Sequence, residues 1–192
     1  MRPKSIGAVF VAVFLSVLVA LSIAAAQDKS QDKSKDKYSL KVPGGLAFSE
    51  FRGYESWQVV SISHDGPLMA AILGNPAMIK AYQAGAPGNG TPFPDGAKLA
   101  KIHWNPVKME TLPAATVPGT QHDMDFMLKD SKRFADSGGW GYATFDYDAA
   151  SDTFRPGTKA DKPPQGNDAK CGFACHTMVK TRDYVFTDYG HR

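Results

Sequence analysis

Gly138-Gly139-Trp140-Gly141-Tyr142-Ala143-Thr144-Phe145-Asp146-Tyr147 is the stretch whose reading decides the fold. Aromatic and β-branched residues behind a glycine pair have the composition of a strand entered through a turn. Just upstream, in His122 to Leu128, Met124, Phe126 and Leu128 alternate with Asp123, Asp125 and Met127. A period of two sends the first set to one sheet face and the second to the other. The two stretches are expected to pair as antiparallel neighbours, with a helical turn in Lys129 to Ser137 between them.

Further out, Trp57-Gln58-Val59-Val60-Ser61-Ile62-Ser63 and Ala97 to Trp104 also read as strands. In the latter, Leu99, Lys101 and His103 share one face, and Lys98, Ala100, Ile102 and Trp104 the other. Since Ile102 and Trp104 are natural core residues, Lys101 and His103 point at solvent by default. Phe48, Phe51, Tyr54 and Trp57 recur every third residue, the spacing of one face of a short N-terminal helix, with one or two rings free to press on a bound group. Pro67 to Leu73 suggests a short helix stopped by Gly74. Asn75-Pro76 opens another, with a capping side chain and a first-turn proline, and Gly85 closes it. Its Ile79 and Tyr82 face the core, and Lys80 and Gln83 face solvent.

Gly85 to Gly96 is a glycine- and proline-rich loop. Asn105 to Gln121 is expected to be a long proline-containing flap. Arg155 to Asp168 should run extended over the surface, with Asp168 capping a helix beyond it. The sum is an α+β fold: a single domain with an antiparallel β-sheet and a few helices.

The N-terminus is a separate matter. Arg2 and Lys4 precede an apolar run from Ile6 to Ile23 and then Ala24-Ala25-Ala26, the order of parts in a secretory signal peptide over 1–26. An uncleaved membrane anchor is the alternative, and both place the folded part outside the cytoplasm, in the periplasm. Residues 27–45 read as a disordered linker, opening on two copies of Gln-Asp-Lys-Ser. Residues 46–192 are the folded domain, and about 166 residues after the signal suffice for one core. The 22 basic and 19 acidic residues give a net charge of +3, two of those charges being Arg2 and Lys4. So balanced a chain argues against a nucleic-acid partner, and no glycine-rich phosphate loop appears.

The remaining stretch is Lys170-Cys171-Gly172-Phe173-Ala174-Cys175-His176-Thr177, with the only 2 cysteines. Two thiols followed directly by an imidazole read as covalent haem attachment, with Cys171 and Cys175 binding the macrocycle and His176 the iron. The common motif has two residues between its cysteines, whereas Gly172, Phe173 and Ala174 separate these. Positions i and i+4 lie on one helix face, so the longer spacer is workable. A disulfide between the cysteines is the alternative, although so short a loop restrains the unfolded chain little. The domain is thus expected to hold a covalent c-type haem near its C-terminus. Met178 sits too near His176 to cross the haem. Met69, Met78, Met109, Met124, Met127, His64, His103, His122 and His191 are the other candidates for a sixth ligand, and none stands out. An open axial position is the preferred reading.

Together with Val179-Lys180, Arg182 to Thr187 and Tyr189 to Arg192, the cysteine stretch resembles the cytochrome P-460 family, whose relatives include cytochrome c′-beta. Phe93-Pro94-Asp95-Gly96-Ala97-Lys98 and Ser137 to Tyr142 extend the likeness over Phe48 to Arg192. The resemblance implies an α+β fold, haem c, small nitrogenous ligands (hydroxylamine, nitric oxide), a redox partner protein and a homodimer. It also implies, for the hydroxylamine-oxidising members, a lysine cross-linked to the porphyrin. Lys101 is the first candidate for that lysine and Lys98 the second. Asp125 is the candidate distal carboxylate, with Asp123 and Glu110 behind it. Hydroxylamine oxidation is the function so implied. Nitric oxide binding without a cross-link, or plain electron transfer, are the alternatives.

Overall fold

Six strands run in sequence order across one antiparallel sheet: β1 (Gln58–Asp65), β2 (Leu68–Gly74), β3 (Lys98–Lys108), β4 (Thr116–Lys129), β5 (Trp140–Asp148) and β6 (Thr153–Pro156). The computed structural model describes residues 36–160, 164 and 172–190. The sheet and the segments packed on it belong to one unit, Lys37–Arg192. The expected α+β domain is therefore what forms, with β4 and β5 paired as their alternation requires. The segments read as a signal peptide and as the first part of the linker lie outside the described residues.

Leu68 to Leu73, expected in a helix, lies in strand β2 instead. Gly66, at φ +55°, and Pro67 make a two-residue loop between the paired Asp65 and Leu68. A glycine opening such a loop matches the twist of a hairpin. Pairing on both sides, with β1 and β3, overrides the helical preference of Leu68-Met69-Ala70-Ala71. Most of Asn105 to Gln121 is likewise strand, because β3 and β4 run on as a hairpin to Lys108 and Thr116. Pro106 and Pro118 face each other there beside an irregular register, which is how a ladder tolerates residues without an N–H. At the other end, Thr153–Pro156 joins the sheet edge as β6, so Arg155 and Pro156, the start of the stretch expected to run extended over the surface, belong to a strand.

Both sheet faces are buried. On one, Met124, Phe126 and Leu128 of β4 meet Ala143 and Phe145 of β5 and a lid of residues 38–57. Phe48 and Phe51 are fully buried in that lid, and Phe51 stacks on Phe126 with ring centroids 4.0 Å apart. The threefold spacing of these aromatics is that of tight turns, not of an α-helix. Phe48–Phe51 and Tyr54–Ser56 are 3₁₀ segments, whose period is three, bent apart at Gly53 with φ +80°. They press on the sheet rather than on the pocket described below. The lid also takes in the end of the expected linker. Lys37–Ser39 forms a turn, Lys41 bridges to Ala47, and Val42 is buried. Tyr38, Leu40 and Val42 supply apolar surface that the polar repeats before them lack, and burying it offsets the cost of ordering the chain.

The opposite face carries helix α1 (Pro76–Gln83) and the C-terminal segment. Asn75 caps α1 by accepting from the Met78 N–H at 3.0 Å, and Pro76 occupies its first turn, as expected. Ile79 and Tyr82 are buried beneath it, with Lys80 and Gln83 exposed. The Tyr82 hydroxyl donates to the Thr187 carbonyl at 3.0 Å, tying the helix to the chain end.

Candidate functional site

Cross-strand register arranges the α1 face of the sheet in three rows. Gly74, Leu99, Met127 and Tyr142 form the first; Ile72, Lys101, Asp125 and Thr144 the second; Ala70, His103, Asp123 and Asp146 the third. The second row and the last three members of the first line one side of a pocket that opens to solvent. Gly172, His176 and Val185 to Thr187 line the rest. Lys101 does not point at open solvent, because the C-terminal segment closes the far side of the pocket that it lines. His103 is only 7% exposed. Lys101 and Asp125 are direct cross-strand partners, so the lysine and carboxylate singled out in the sequence meet in one pocket with His176.

His176 ends the short helix α2 (Phe173–His176), with Gly172 rather than Asp168 at its N-cap position. The helical turn begins at Phe173. Cys171 and Asp168 themselves lie outside the described residues, as does His191. Cys175 is partly buried in the turn just before His176. The Nδ1–H of His176 donates to the Tyr184 carbonyl at 2.5 Å, since a carbonyl can only accept. That bond leaves Nε2 as the basic nitrogen, the arrangement usual for a metal-bound histidine.

Orienting that carbonyl takes unusual backbone. Asp183 and Tyr184 both have left-handed φ, +49° and +63°, which costs roughly 1–3 kcal/mol for each residue. Three contacts hold them there. The Asp183 carboxylate accepts from Lys129 Nζ at 2.6 Å and from the Phe93 N–H at 2.8 Å. Lys129, itself buried, also donates to the Gly138 carbonyl at 3.1 Å and lies 5.1 Å from the centre of the Trp140 ring. The Tyr184 ring packs on Gly138, where a β-carbon would come within 2.1 Å of it. The glycine pair thus serves the site as well as the turn.

Beyond Asp125, the carboxylates and imidazoles form a chain. Asp125 Oδ1 accepts from the Thr144 hydroxyl at 2.6 Å, and its Oδ2 lies 3.7 Å from His103 Nδ1. The same Nδ1 is 2.5 Å from Asp123 Oδ1, and Asp123 Oδ2 is 2.8 Å from His122 Nδ1. Burial pushes the Asp125 carboxyl above its ordinary value, reinforced by the Asp123 charge and opposed by the Thr144 bond. Burial also acts to raise Asp123, but its bonds to His103 and His122 outweigh that and hold it low.

The other candidates lie elsewhere. Lys98 points to the opposite face, donating to the Glu50 carbonyl at 2.5 Å, and so is not the pocket lysine. Glu110 is exposed in the β3–β4 turn. Among the described candidates for a sixth ligand, Met127 alone lines the pocket, while Met78 and Met124 are core. Sequence reasoning missed Thr144, the Tyr184 carbonyl and the Lys129–Asp183 pair. The first was legible in principle, because pairing β4 with β5 sets Thr144 opposite Asp125.

These residues fit a haem. The pocket walls are largely apolar, and its polar groups are few and convergent. The Phe186 ring stands edge-on to His176, with centroids 5.0 Å apart, and is 46% exposed, surface that a flat macrocycle would cover. An oriented imidazole beside such a slot defines a haem-binding domain. The family model for cytochrome P460 matches residues 51–187, and the chain belongs to that family. It is a c-type haem protein, and its cofactor is haem c. No curated protein matches the chain.

Proposed function

We propose that this protein oxidises hydroxylamine, with or without nitric oxide, in the periplasm, and passes the electrons to a redox partner protein. The pairing of Lys101 with Asp125 in the pocket that His176 lines is the observation that carries this reading. Cys171 and Cys175 hold the macrocycle, and His176 is the iron ligand. Lys101 is the residue bonded to the porphyrin edge. Haem iron supplies a binding position for the nitrogen ligand and one-electron redox chemistry.

The chain supplies orientation and a base. Tyr184 fixes the His176 ring through Nδ1. Asp125, raised by burial, accepts the proton that hydroxylamine loses, and a carboxylate tuned upward does so more effectively near neutral pH. With Oδ1 engaged by Thr144, Oδ2 is the oxygen that receives it. A nitric oxide scavenger works with an apolar distal pocket, and here a lysine and a carboxylate line the pocket. Asp125→Asn should lower hydroxylamine oxidation by about 100-fold or more, with haem still attached. Native-like turnover in that variant, or none in the haem-loaded native protein with any one-electron acceptor, would refute the proposal.

A further inference from the structure

We propose that His103, Asp123 and Asp125 form a binding site for a divalent transition-metal ion of the zinc type, beside the pocket that His176 lines. Its effect on catalysis rests on the proposed oxidation, whereas the site itself is read from three converging ligand atoms. His103 Nδ1 lies 2.5 Å from Asp123 Oδ1 and 3.7 Å from Asp125 Oδ2. One ligand atom from each residue falls within 4.8 Å of the other two. Ligand atoms on a tetrahedral zinc ion, with bonds of about 2.0–2.2 Å, stand roughly 3.3–3.6 Å apart, so the distances from Nδ1 bracket what the ion needs.

Register and hydrogen bonding turn these atoms inward. His103 and Asp123 are cross-strand partners, and Asp125 follows two residues on along β4, on the same face. Each carboxylate has one oxygen held by an outer donor. His122 Nδ1 is 2.8 Å from Asp123 Oδ2, and the Thr144 hydroxyl donates to Asp125 Oδ1 at 2.6 Å. The other oxygen of each is left for the side of the His103 ring. Outer donors of this kind orient metal ligands and fix their geometry. One imidazole with two carboxylates suits zinc or a neighbouring first-row ion, while Mg²⁺ prefers oxygen ligands and water. The side chains of His103, Asp123 and Asp125 are only 9%, 16% and 17% exposed, so two carboxylates are crowded together away from bulk water. Burial pushes the Asp125 carboxyl up and the Asp123 charge adds to that, a repulsion that a cation between them relieves.

Binding replaces a hydrogen bond by metal bonds. The proton between His103 and Asp123 leaves Nδ1, and the neutral ring carries one on Nε2 instead. Water from the pocket that Asp125 lines completes the coordination. Lys101, across β3–β4 from Asp125, opposes a cation as a free ammonium. Bonded to a conjugated macrocycle, as proposed, its nitrogen is far less basic and that opposition falls away. An ion on Asp125 Oδ2 takes the oxygen assigned to accept the substrate proton, so the site is inhibitory.

The test is a calorimetric titration of haem-loaded, EDTA-treated protein with Zn²⁺. One ion should bind per chain, and Mg²⁺ should not compete. Zinc-edge X-ray absorption should show one imidazole nitrogen with oxygen ligands and no sulfur. His103→Gln and Asp123→Asn should abolish binding at concentrations that saturate native protein. His122→Gln, a change at a side chain 46% exposed, keeps the test readable if the buried variants fail to fold, and it should weaken binding about 10- to 100-fold. Absence of stoichiometric zinc, sulfur ligation, or His122→Gln binding as tightly as native protein would overturn the site. Saturating zinc should lower hydroxylamine turnover at least 10-fold, reversibly with EDTA, and full turnover with zinc bound would overturn the inhibition. If native protein without zinc oxidises no hydroxylamine, the proposed function fails, while calorimetry and absorption still decide the metal site.

Discussion

Asp183→Asn is the perturbation that most sharply probes how the site is held. The native carboxylate is 11% exposed, lies 2.6 Å from Lys129 Nζ, and takes the Phe93 N–H on its other oxygen. Asparagine tolerates the left-handed backbone at this position, and its amide oxygen can still accept from Phe93, so shape and turn are preserved. What is lost is the charge and, with it, the acceptor that faced Lys129. Lys129, 6% exposed, then keeps its ammonium with the Gly138 carbonyl and the Trp140 ring as partners. Removing one partner of a buried pair costs about 3–5 kcal/mol, because the other charge is stranded away from water. For a domain of this size each kcal/mol moves Tm by roughly 2–4 °C, so the midpoint should fall by about 6–20 °C. The assay is thermal unfolding followed by circular dichroism on haem-loaded protein. Lys129→Met should cost a similar amount, and the double variant should recover most of the loss, since no lone charge remains. Single variants costing under about 1 kcal/mol, or losses that simply add, would refute the reasoning.

Two further outcomes follow from the same structure. Because the Asp125 carboxyl is raised in the fold, its protonation favours folding. That contribution is complete below the unfolded value of 3.8 and is lost as pH rises through the folded value. Asp125→Asn should therefore be more stable than native protein at neutral pH, with the advantage shrinking towards pH 3.8 in denaturant titrations; a neutral-pH loss of stability would contradict this. Asp123 has the opposite sign, stabilising above 3.8 and losing that contribution as pH falls through its lowered value. Met127→Leu should leave the iron spin state unchanged in absorption spectra, because the proposed open axial position leaves Met127 as a wall of the pocket. A switch from low spin to high spin in that variant would make it the sixth ligand.

Much of the sheet was legible because burial on one face enforces alternation. Met124, Phe126 and Leu128 could not all reach the core except as a strand, and the pairing of β4 with β5 followed. Leu68 to Gly74 was not legible, since a strand buried on both faces has no polar alternation and reads like a short helix. Lys101 and His103 illustrate a second limit. Periodicity put them on one face, but which face is covered depends on a C-terminal segment far away in sequence. The cysteines and His176 announced the cofactor, whereas the Tyr184 carbonyl that orients the imidazole leaves no mark in composition. The Lys129–Asp183 pair is similarly silent, because two ordinary surface residue types become a buried clasp only through the tertiary fold.

The central claim is that His176, Lys101 and Asp125 face one macrocycle. Mass analysis of a digest of active, haem-loaded protein tests it most directly. The account predicts a single haem-bearing species that joins the Cys171–Cys175 peptide to the peptide containing Lys101, two segments brought together only by this pocket. The Lys98 side chain should be unmodified, since it points to the other face. Recovery of the Lys101 peptide, unmodified and in full, from protein that still oxidises hydroxylamine would contradict the account.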